Sequence, residues 1–400
     1  DAATNFHTLI AGSRQILLGD KKTNGVPLVF IGHSGGQIRF GNDTSLLIST
    51  GDGASYSNLD TGSTTGTYWA QALADSIIRP AENVGAFRSL MMNSYCGKIL
   101  RIDPNTGLGL NSNPYYVSSN PDSIVSKVWA LGFRNPFRFT IIPNTGSTDI
   151  TAGDPGVLFV GDVGYNTWES LDIVKQAGQN SGWPLFEGLT AEFQYYNLAI
   201  QNLDAPNPLF GSGSCMQQYF TFKDLTVLDK NFGNPVIKNP CDTTQLIPAS
   251  CYPMPHHRPQ IEWKHQQNIT RCPLFTGQGN PISVNINQPT SPVQGVQYAG
   301  NASVGGVYYD DNRFPVEFQN NYFHGDYGAE WIRRFTLDSA YNLLTVDSFA
   351  TGVGPVVFLN RNPKTGCLMY VKYPDAIHSI CYTGNVNNPP KAIAKADTFY

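Results

Sequence analysis

The sequence has 400 residues, of which only 14% are charged, and its formal net charge is −4. It contains no long run of Lys or Arg, so nucleic acid and anionic membranes are excluded as expected partners. No apolar stretch reaches the roughly 20 residues of a membrane-spanning helix. Abundant Gly, Asn, Ser, Thr and aromatic residues are instead typical of many short strands joined by tight turns.

The first predicted elements surround a glycine-rich turn. Residues 32–38 set His33 among glycines, between a strand and a glycine-rich turn. Residues 68–78 carry the one helix that periodicity predicts. The remaining strand-like runs follow in chain order at residues 98–102, 128–142, 171–174, 306–309 and 331–337. Strands therefore dominate the predicted elements.

A turn followed by a short apolar run recurs along the chain. The runs lie at residues 46–50, 157–160, 322–324 and 367–371, and the first three end in Gly-Asp. Recurring units of this kind predict an all-β fold, a β-propeller whose blades are short antiparallel sheets. A pair of β-sandwiches is the alternative. The repeated Gly-Asp favours the propeller, because strands that converge on one channel need small residues there.

Two segments interrupt the repeat, and the C-terminal tail changes character. Residues 190–260 are rich in Asn, Pro, Gln and Cys, and residues 105–126 read as a polar loop. Both are expected to lie on a face of the propeller as loops. Residues 385–390 form a turn-rich linker, and residues 391–396 alternate like a strand. A further domain is therefore expected to begin within the tail.

Seven cysteines occur, none of them in a C-x-x-C pair, which argues against a zinc site or a redox motif. Disulfides in an oxidising, extracellular compartment are our interpretation, and buried free thiols are the alternative. The odd number leaves one cysteine unpaired. The candidates are Cys215, Cys241, Cys251 and Cys272 in the loop-rich insertion, with Cys367 and Cys381 as a further pair.

Three Asn-X-Ser/Thr sequons, at Asn42, Asn268 and Asn301, agree with secretion. Asn42 has the best expected placement, because its sequence reads as a hairpin turn.

Three polar residues form a candidate catalytic site. His33 lies in the glycine-rich turn, Asp52 ends the next strand, and Arg134 ends another apolar run. A carboxylate beside an imidazole orients it and raises its basicity. A His base, an Asp orienter and an Arg clamp could together remove a proton from an alcohol. The alternative is a structural His33 that caps a turn.

Several stretches, in the same order along the chain, resemble the glucose/sorbosone dehydrogenase family. They are residues 33–41 with 49–53, 97–103, 130–136, 161–164 with 168–169 and 182–184, 305–309 and 323–327. The resemblance implies a six-bladed β-propeller over residues 1–384. The tail is similar to family members that continue into a PKD-type immunoglobulin-like domain, which would start within residues 385–400 and be truncated here.

The resemblance also implies chemistry. It implies pyrroloquinoline quinone (PQQ) as a cofactor, with His33 as the base on a sugar hydroxyl and Asp52 as its orienter. Arg134 would polarise the quinone oxygen, and Asn135, Arg134 and His33 would contact the cofactor.

The groups that anchor the cofactor are less complete. The resemblance implies a calcium ion facing the main-chain oxygens of Gly164 and Tyr165, a ligand type that this hard cation accepts. PQQ carries three carboxylates, and cations normally hold such groups. The family's enzymes have a Lys where this chain reads residues 326–328, and an Arg pair where it reads 355–358. Neither cation is present at those positions.

The start of the chain also departs from the family. Its members carry about one more blade before the histidine motif, so the propeller is expected to lack its first blade. A further chain or segment would complete the ring.

Two functions are therefore expected as alternatives. In the first, a secreted quinoprotein oxidises a sugar or polyol with PQQ and calcium. In the second, the propeller is a non-enzymatic extracellular module of a larger surface glycoprotein that binds a glycan or acts structurally, and has lost PQQ.

Overall fold

The computed structural model describes residues 8–228, 230–232 and 235–383, and strands are numbered β1–β27 along the chain. Four sheets of three or more strands, in which most neighbouring strands are antiparallel, follow one another in this part of the chain. The predicted all-β fold is confirmed. The predicted tail domain, residues 385–400, lies outside the described residues.

In each of the first two sheets, the strands lie side by side in the order in which they occur in the sequence. The first sheet has the order β1 (Ile38–Phe40), β2 (Leu46–Thr50), β3 (Lys98–Ile102) and β4 (Val128–Leu131). The second has the order β5 (Pro136–Ile141), β6 (Leu158–Asp162), β7 (Trp168–Val174), β16 (Ile261–His265), β17 (Thr270–Phe275) and β18 (Pro281–Asn285), with β20 (Ala299–Gly300) parallel to β16.

The last two sheets follow the same plan. The third has the order β21 (Ser303–Tyr309), β22 (Asn321–Asp326), β23 (Trp331–Leu337) and β24 (Leu343–Thr351), with β19 (Gln294–Gly295) parallel to β24. The fourth consists of β25 (Val356–Arg361), β26 (Leu368–Lys372) and β27 (Ala376–Ile380).

Each sheet packs against the next one in sequence. Strand β2 packs on β5, β5 and β6 pack on β21, and β21 and β22 pack on β25. Buried side chains fill each junction, as where the Phe159 ring meets the Tyr322 ring edge-on at 4.8 Å. Sheets stacked face to face in chain order are the arrangement of propeller blades. The number of six blades, the missing first blade and its completion by another chain or segment stay predictions.

The turn–strand repeat is real, but its position differs from the expected one. All four copies form the second strand of a sheet, namely β2, β6, β22 and β26. A Cβ on Gly161 would lie 2.3 Å from the backbone nitrogen of Gly305, and one on Gly325 would lie 2.8 Å from Val356 and Leu359. The glycines therefore let the first strand of the next sheet approach closely. This packing explains Gly161 and Gly325, and the central channel stays a prediction.

We call the place where the second strands end and the first strands begin the Gly-Asp edge. It carries Asp52 after β2, Asp162 at the end of β6 and Asp326 at the end of β22. In all three, the carboxylate is buried. This edge holds the site described below.

The insertion is more ordered than its sequence indicates. It lies between β7 and β16, and its own core includes Phe220, Leu225 and Ile247. The short strand β8 (Phe186–Glu187) directly precedes the insertion. The small strands of the insertion are β9 (Thr190–Ala191), β10 (Gln201–Pro206), β11 (Tyr219–Thr221), β12 (Thr226–Val227), β13 (Lys238–Asn239), β14 (Asp242–Leu246) and β15 (Met254–Pro255).

Helices are short. The predicted helix at residues 68–78 is α1 (Trp69–Ala74), and the others are single turns: α2 (Ile124–Lys127), α3 (Phe193–Tyr196) and α4 (Phe222–Leu225). One-turn 3-10 helices lie at Pro80–Glu82, Ile150–Ala152, Ala249–Cys251 and Val316–Phe318, and a longer one at Gly85–Leu90. Among the described residues, we find no helix with the length and apolar character needed to cross a bilayer.

Two disulfides are confirmed, Cys215–Cys241 and Cys367–Cys381. Cys251 and Cys272 were candidates as well, but both are buried free thiols. Cys251 packs in the core of the insertion, whereas Cys272 lies on β17 in the core of the second sheet. Since they belong to separate packing units, the insertion gains one disulfide instead of two.

Candidate functional site

His33 is held at the Gly-Asp edge in an unusual backbone conformation. Its φ is 53°, in the left-handed region that few residues other than glycine adopt. The neighbouring glycines make room for it: a Cβ on Gly51 would lie 2.2 Å from the His33 carbonyl oxygen, and one on Gly32 would lie 2.6 Å from the Tyr56 ring. Non-glycine residues in this conformation are concentrated at functional sites, because the strain must be offset elsewhere.

Asp52 anchors the His33 ring. His33 Nδ1 lies 2.8 Å from Asp52 Oδ1. The same oxygen accepts the N–H of Ala54 at 3.0 Å, and Oδ2 accepts the indole N–H of Trp183 at 2.8 Å. The carboxylate thus accepts three hydrogen bonds, which hold its position and that of the imidazole. Within the described residues, Nε2 of His33 has no hydrogen-bond partner.

Arg134 lies close to this pair. The guanidinium donates from Nη1 to the carbonyls of Val163 and Gly164, at 3.1 and 2.6 Å. Its carbon Cζ is 5.3 Å from the centre of the Tyr165 ring and 5.4 Å from that of Trp183. Trp183 therefore contacts both Asp52, which holds the His33 imidazole, and the Arg134 guanidinium. The structure thus brings together the three residues of the predicted catalytic site.

The electrostatics keep His33 neutral and Asp52 ionised at neutral pH. Burial lowers the pKa of His33, the charge of Arg134 lowers it further, and Asp52 opposes both. Burial alone would raise the pKa of Asp52, but the charge and hydrogen bond of His33, together with Arg134, bring it below its ordinary value. A neutral imidazole oriented by a carboxylate can accept a proton from a hydroxyl group.

The equivalent carboxylates of the next two sheets have other partners. Asp162 accepts the backbone N–H groups of the two residues before β5, and Asp326 those of the two residues before β21. Burial, with the charge of Asp172, raises the pKa of Asp162 well above its ordinary value. Burial and Glu169 raise that of Asp326 to about 6. Of the three, Asp52 alone binds an imidazole and has a lowered pKa.

Calcium does not fit the arrangement at the Gly164 carbonyl. The Gly164 carbonyl already accepts a hydrogen bond from the Arg134 guanidinium, and a second cation there would be repelled. The backbone N–H groups of residues 165–168 all donate to one oxygen of Glu187, at 2.7–3.1 Å. Among the described residues, no group of three or more His, Cys, Asp or Glu side chains is placed to hold a metal. Gly164 therefore positions Arg134.

PQQ does not fit the site as a whole. Arg134 and Asn135 lie next to each other at the Gly-Asp edge, but the cavity beside Asn135 has only uncharged lining residues. Val357 lines it from the stretch where the family's enzymes have an Arg pair. The other stretch contributes the uncharged Tyr327, while Asp326 accepts backbone N–H groups. Three carboxylates buried there without cations would carry a large desolvation cost.

The three sequons differ in their structural roles. The Asn42 side-chain nitrogen, which would carry a glycan, donates to the carbonyls of Ile142 and Thr145, both at 2.9 Å. That amide links the first sheet to the second, and its nitrogen is therefore poorly placed to accept a glycan. Asn42 had been expected to be the best placed of the three glycosylation sites. Asn268 and Asn301 are exposed and stay predicted sites.

Sequence reasoning missed the role of Trp183. Its segment was recognised only as a family motif, and nothing local connects it to Asp52, which is 131 residues away. The Gly-Asp repeat was the one signal that could have drawn attention to Asp162 and Asp326 as relatives of Asp52.

Comparison with known proteins gives matches to one family model and to two plant proteins. The family model described as glucose/sorbosone dehydrogenase matches residues 27–205, a range that contains His33, Asp52 and Arg134. The HIPL2 protein of Arabidopsis thaliana is 31% identical over 178 residues, covering 42% of this chain and 20% of that protein. The HIPL1 protein of the same plant is 28% identical with the same coverage. This chain spans about a fifth of the length of these relatives.

Solved structures give similar matches. The PQQ-bound form of aldose sugar dehydrogenase from Streptomyces coelicolor is 17% identical, with a TM-score of 0.42, over 87% of this chain and 58% of that one. The apo-form of the soluble aldose sugar dehydrogenase from Escherichia coli is 14% identical, with a TM-score of 0.41, over 88% of this chain and 63% of that one.

Proposed function

Through residues 27–205 the chain belongs to the glucose/sorbosone dehydrogenase family, and on that premise we propose that it binds a hydroxyl group of a sugar or polyol at His33. The protein is, in this proposal, an extracellular carbohydrate-binding propeller that keeps the family's base and has lost its quinone. Its ligand is a free sugar, a polyol or a glycan.

The observation that carries the proposal is the contrast between Asp52 and its counterparts. Asp162 accepts backbone N–H groups, and Asp326 accepts backbone N–H groups and the indole N–H of Trp263, whereas Asp52 holds an imidazole. The other two carboxylates show that a purely structural role at this position needs no imidazole partner. The strained backbone of His33 is a further cost that a ligand-binding role explains.

The chemistry of the pair suits a hydroxyl ligand. Asp52 accepts the Nδ1 proton of His33, so the tautomer leaves a lone pair on Nε2. A hydroxyl can donate to that lone pair, and Arg134, partly desolvated, stabilises negative charge that develops on the hydroxyl oxygen. The neutral state of His33 that this needs agrees with its lowered pKa.

Extracellular placement is part of the proposal. Two disulfides favour an oxidising compartment, and Asn268 and Asn301 are exposed enough to accept glycans. We also propose the domain division expected from the sequence, with a propeller over residues 1–384 and a further domain that starts in residues 385–400.

A second candidate is oxidation of a sugar with PQQ and calcium. The neutral His33 beside an ionised Asp52, with Arg134 nearby, favours it, since the family's enzymes would use these groups. This candidate requires Arg134 to leave the Gly164 carbonyl and the carboxylates of PQQ to find cations elsewhere.

One set of titrations separates the two candidates. Glucose, sorbitol and PQQ with calcium are each titrated by calorimetry into the full chain and into His33→Ala. We expect the full chain to bind glucose or sorbitol and the variant to lose that binding. We also expect no reduction of an electron-accepting dye in the presence of glucose, PQQ and calcium. Dye reduction that His33→Ala abolishes would establish the enzyme, and sugar binding unaffected by His33→Ala would refute the proposal.

A further inference from the structure

A cavity opens on the Gly-Asp edge, in the three sheets that follow the first one. It measures about 450 Å³, which is within the range of small-molecule sites. It is bounded by residues at the starts of β5, β21 and β25 and by loops that follow β6, β22 and β26. Asn135 belongs to it and directly follows Arg134, so the cavity and the His33 site share one loop.

The lining of this cavity has aromatic, apolar and amide groups. Tyr327 and Tyr373 are 39% and 56% exposed, and their ring centres are 6.4 Å apart at an interplanar angle of 49°. Phe137 and Val357 add apolar surface. Within the described residues, the Asn135 side chain makes no hydrogen bond, although its backbone N–H donates to Asp162. An uncommitted amide in an apolar cavity is a polar group available to a ligand.

Two arginines beside the lining residues of this cavity are committed to protein groups. Arg138 has its guanidinium 4.0 Å from the centre of the Phe137 ring and donates to the carbonyls of Gly36 and Phe137. Arg134 donates to Val163 and Gly164. An acidic ligand would also find no charged side chain in the lining of this cavity, which disfavours the quinone and any other polyanion.

We propose that this cavity binds a neutral hydroxylated ring, a pyranose unit of a sugar or glycan, in the place where the family's enzymes carry their acidic quinone. The tyrosine rings cover the C–H face of the pyranose, and the Asn135 amide binds hydroxyl groups at its edge. Tyr rings combine a large apolar surface with a polar end, which matches the alternating surface of a pyranose. The inference deepens the proposed function, because it adds a second subsite for the same ligand class.

The test compares matched variants at the tyrosine pair with a variant of the base. Saturation-transfer NMR and calorimetry measure the binding of glucose and cellobiose to the full chain, Tyr373→Ala, Tyr373→Phe and His33→Ala. We expect saturation to pass from aromatic protons to the pyranose C–H protons, and affinity to fall about tenfold in Tyr373→Ala. Tyr373→Phe keeps the ring and should stay within about twofold of the full chain.

The outcomes separate this inference from the proposed function. Sugar binding that depends on His33 but not on Tyr373 would overturn the inference and leave the function standing. Binding that depends on Tyr373 but not on His33 would do the reverse. No sugar binding at all would overturn both.

A gain-of-binding variant tests the charge argument independently of sugar. Val357→Arg places a cation in the cavity wall, and PQQ affinity should rise at least about tenfold, as expected for one charge-assisted contact to a carboxylate. Val357→Leu is the neutral control and should leave PQQ affinity unchanged. PQQ that binds the full chain as tightly as it binds Val357→Arg would overturn the claim that the cavity selects a neutral ligand.

Discussion

Replacing Asp52 by Asn tests the role of the His33–Asp52 pair most sharply. The carboxylate accepts three donors, from His33, Ala54 and Trp183. An amide offers only one accepting oxygen. If that oxygen faces His33, the new NH₂ group opposes the indole N–H of Trp183. If it faces Trp183, the NH₂ group donates to His33 Nδ1, and the ring must carry its proton on Nε2. Either orientation breaks one part of the arrangement.

The size of the effect follows from these bonds. A hydrogen bond to a charged group contributes about 1.5–3 kcal/mol, and an unsatisfied buried donor costs a similar amount. We expect the free energy of unfolding to fall by about 2 kcal/mol and sugar affinity at pH 7 to fall at least about tenfold. Asp52 is also the group that raises the pKa of His33 against burial and Arg134. The pKa of His33 should therefore fall further in the variant.

The assay is an NMR titration of the His33 imidazole in the full chain and in Asp52→Asn. Asp326→Asn is the matched control, because Asp326 occupies the same position in the third sheet but accepts backbone N–H groups and the indole of Trp263. It should leave the His33 pKa unchanged. An unchanged or raised His33 pKa in Asp52→Asn, or an equal shift in the control, would refute the reasoning.

Three further predictions follow from the same contacts. Because the pKa of His33 is lowered from its ordinary value, the imidazole is mainly neutral at pH 7, so sugar affinity should be nearly constant from pH 8 to 7 and fall as the pH is lowered through the pKa. Affinity that already falls steeply between pH 8 and 7 would contradict this. Gly51→Ala should lower sugar affinity at least about tenfold and destabilise the fold by about 1–3 kcal/mol, because its Cβ would meet the His33 carbonyl. Gly35→Ala, whose Cβ meets open space, should change neither quantity. Mass spectrometry of the unfolded, unreduced protein should find Cys96, Cys251 and Cys272 alkylated and the other four cysteines protected; alkylation of Cys215 without reductant would contradict the first disulfide.

The fold was predictable where local patterns specify it. The four turn–strand units are visible because turn residues, apolar runs and Gly-Asp are close in sequence, and each forms a second strand. The reason for the glycines was not predictable in the same way. Gly161 must accommodate Gly305, which is distant in sequence and meets it only when two sheets pack. The insertion also owes its regular structure to tertiary packing around its own core, and the weak periodicity of its sequence gives no sign of that packing.

In the candidate site, too, contacts between residues close in sequence were predictable and contacts between distant residues were not. His33 and Asp52 lie 19 residues apart on either side of β1 and β2, so a hairpin brings them together. Trp183 reaches Asp52 from the segment after the second sheet's third strand, and no local pattern connects the two. The Asn42 amide was misjudged for a related reason, since its partners lie about 100 residues away in the second sheet.

The most direct test of the central claim is a crystal structure of the protein soaked with glucose and, separately, with sorbitol. A hydroxyl oxygen should lie within hydrogen-bond distance, about 2.6–3.2 Å, of His33 Nε2, with Asp52 still bound to Nδ1. Ligand seated elsewhere on the molecule, with Nε2 bonded to a protein group and solution affinity unaffected by His33→Ala, would contradict the account.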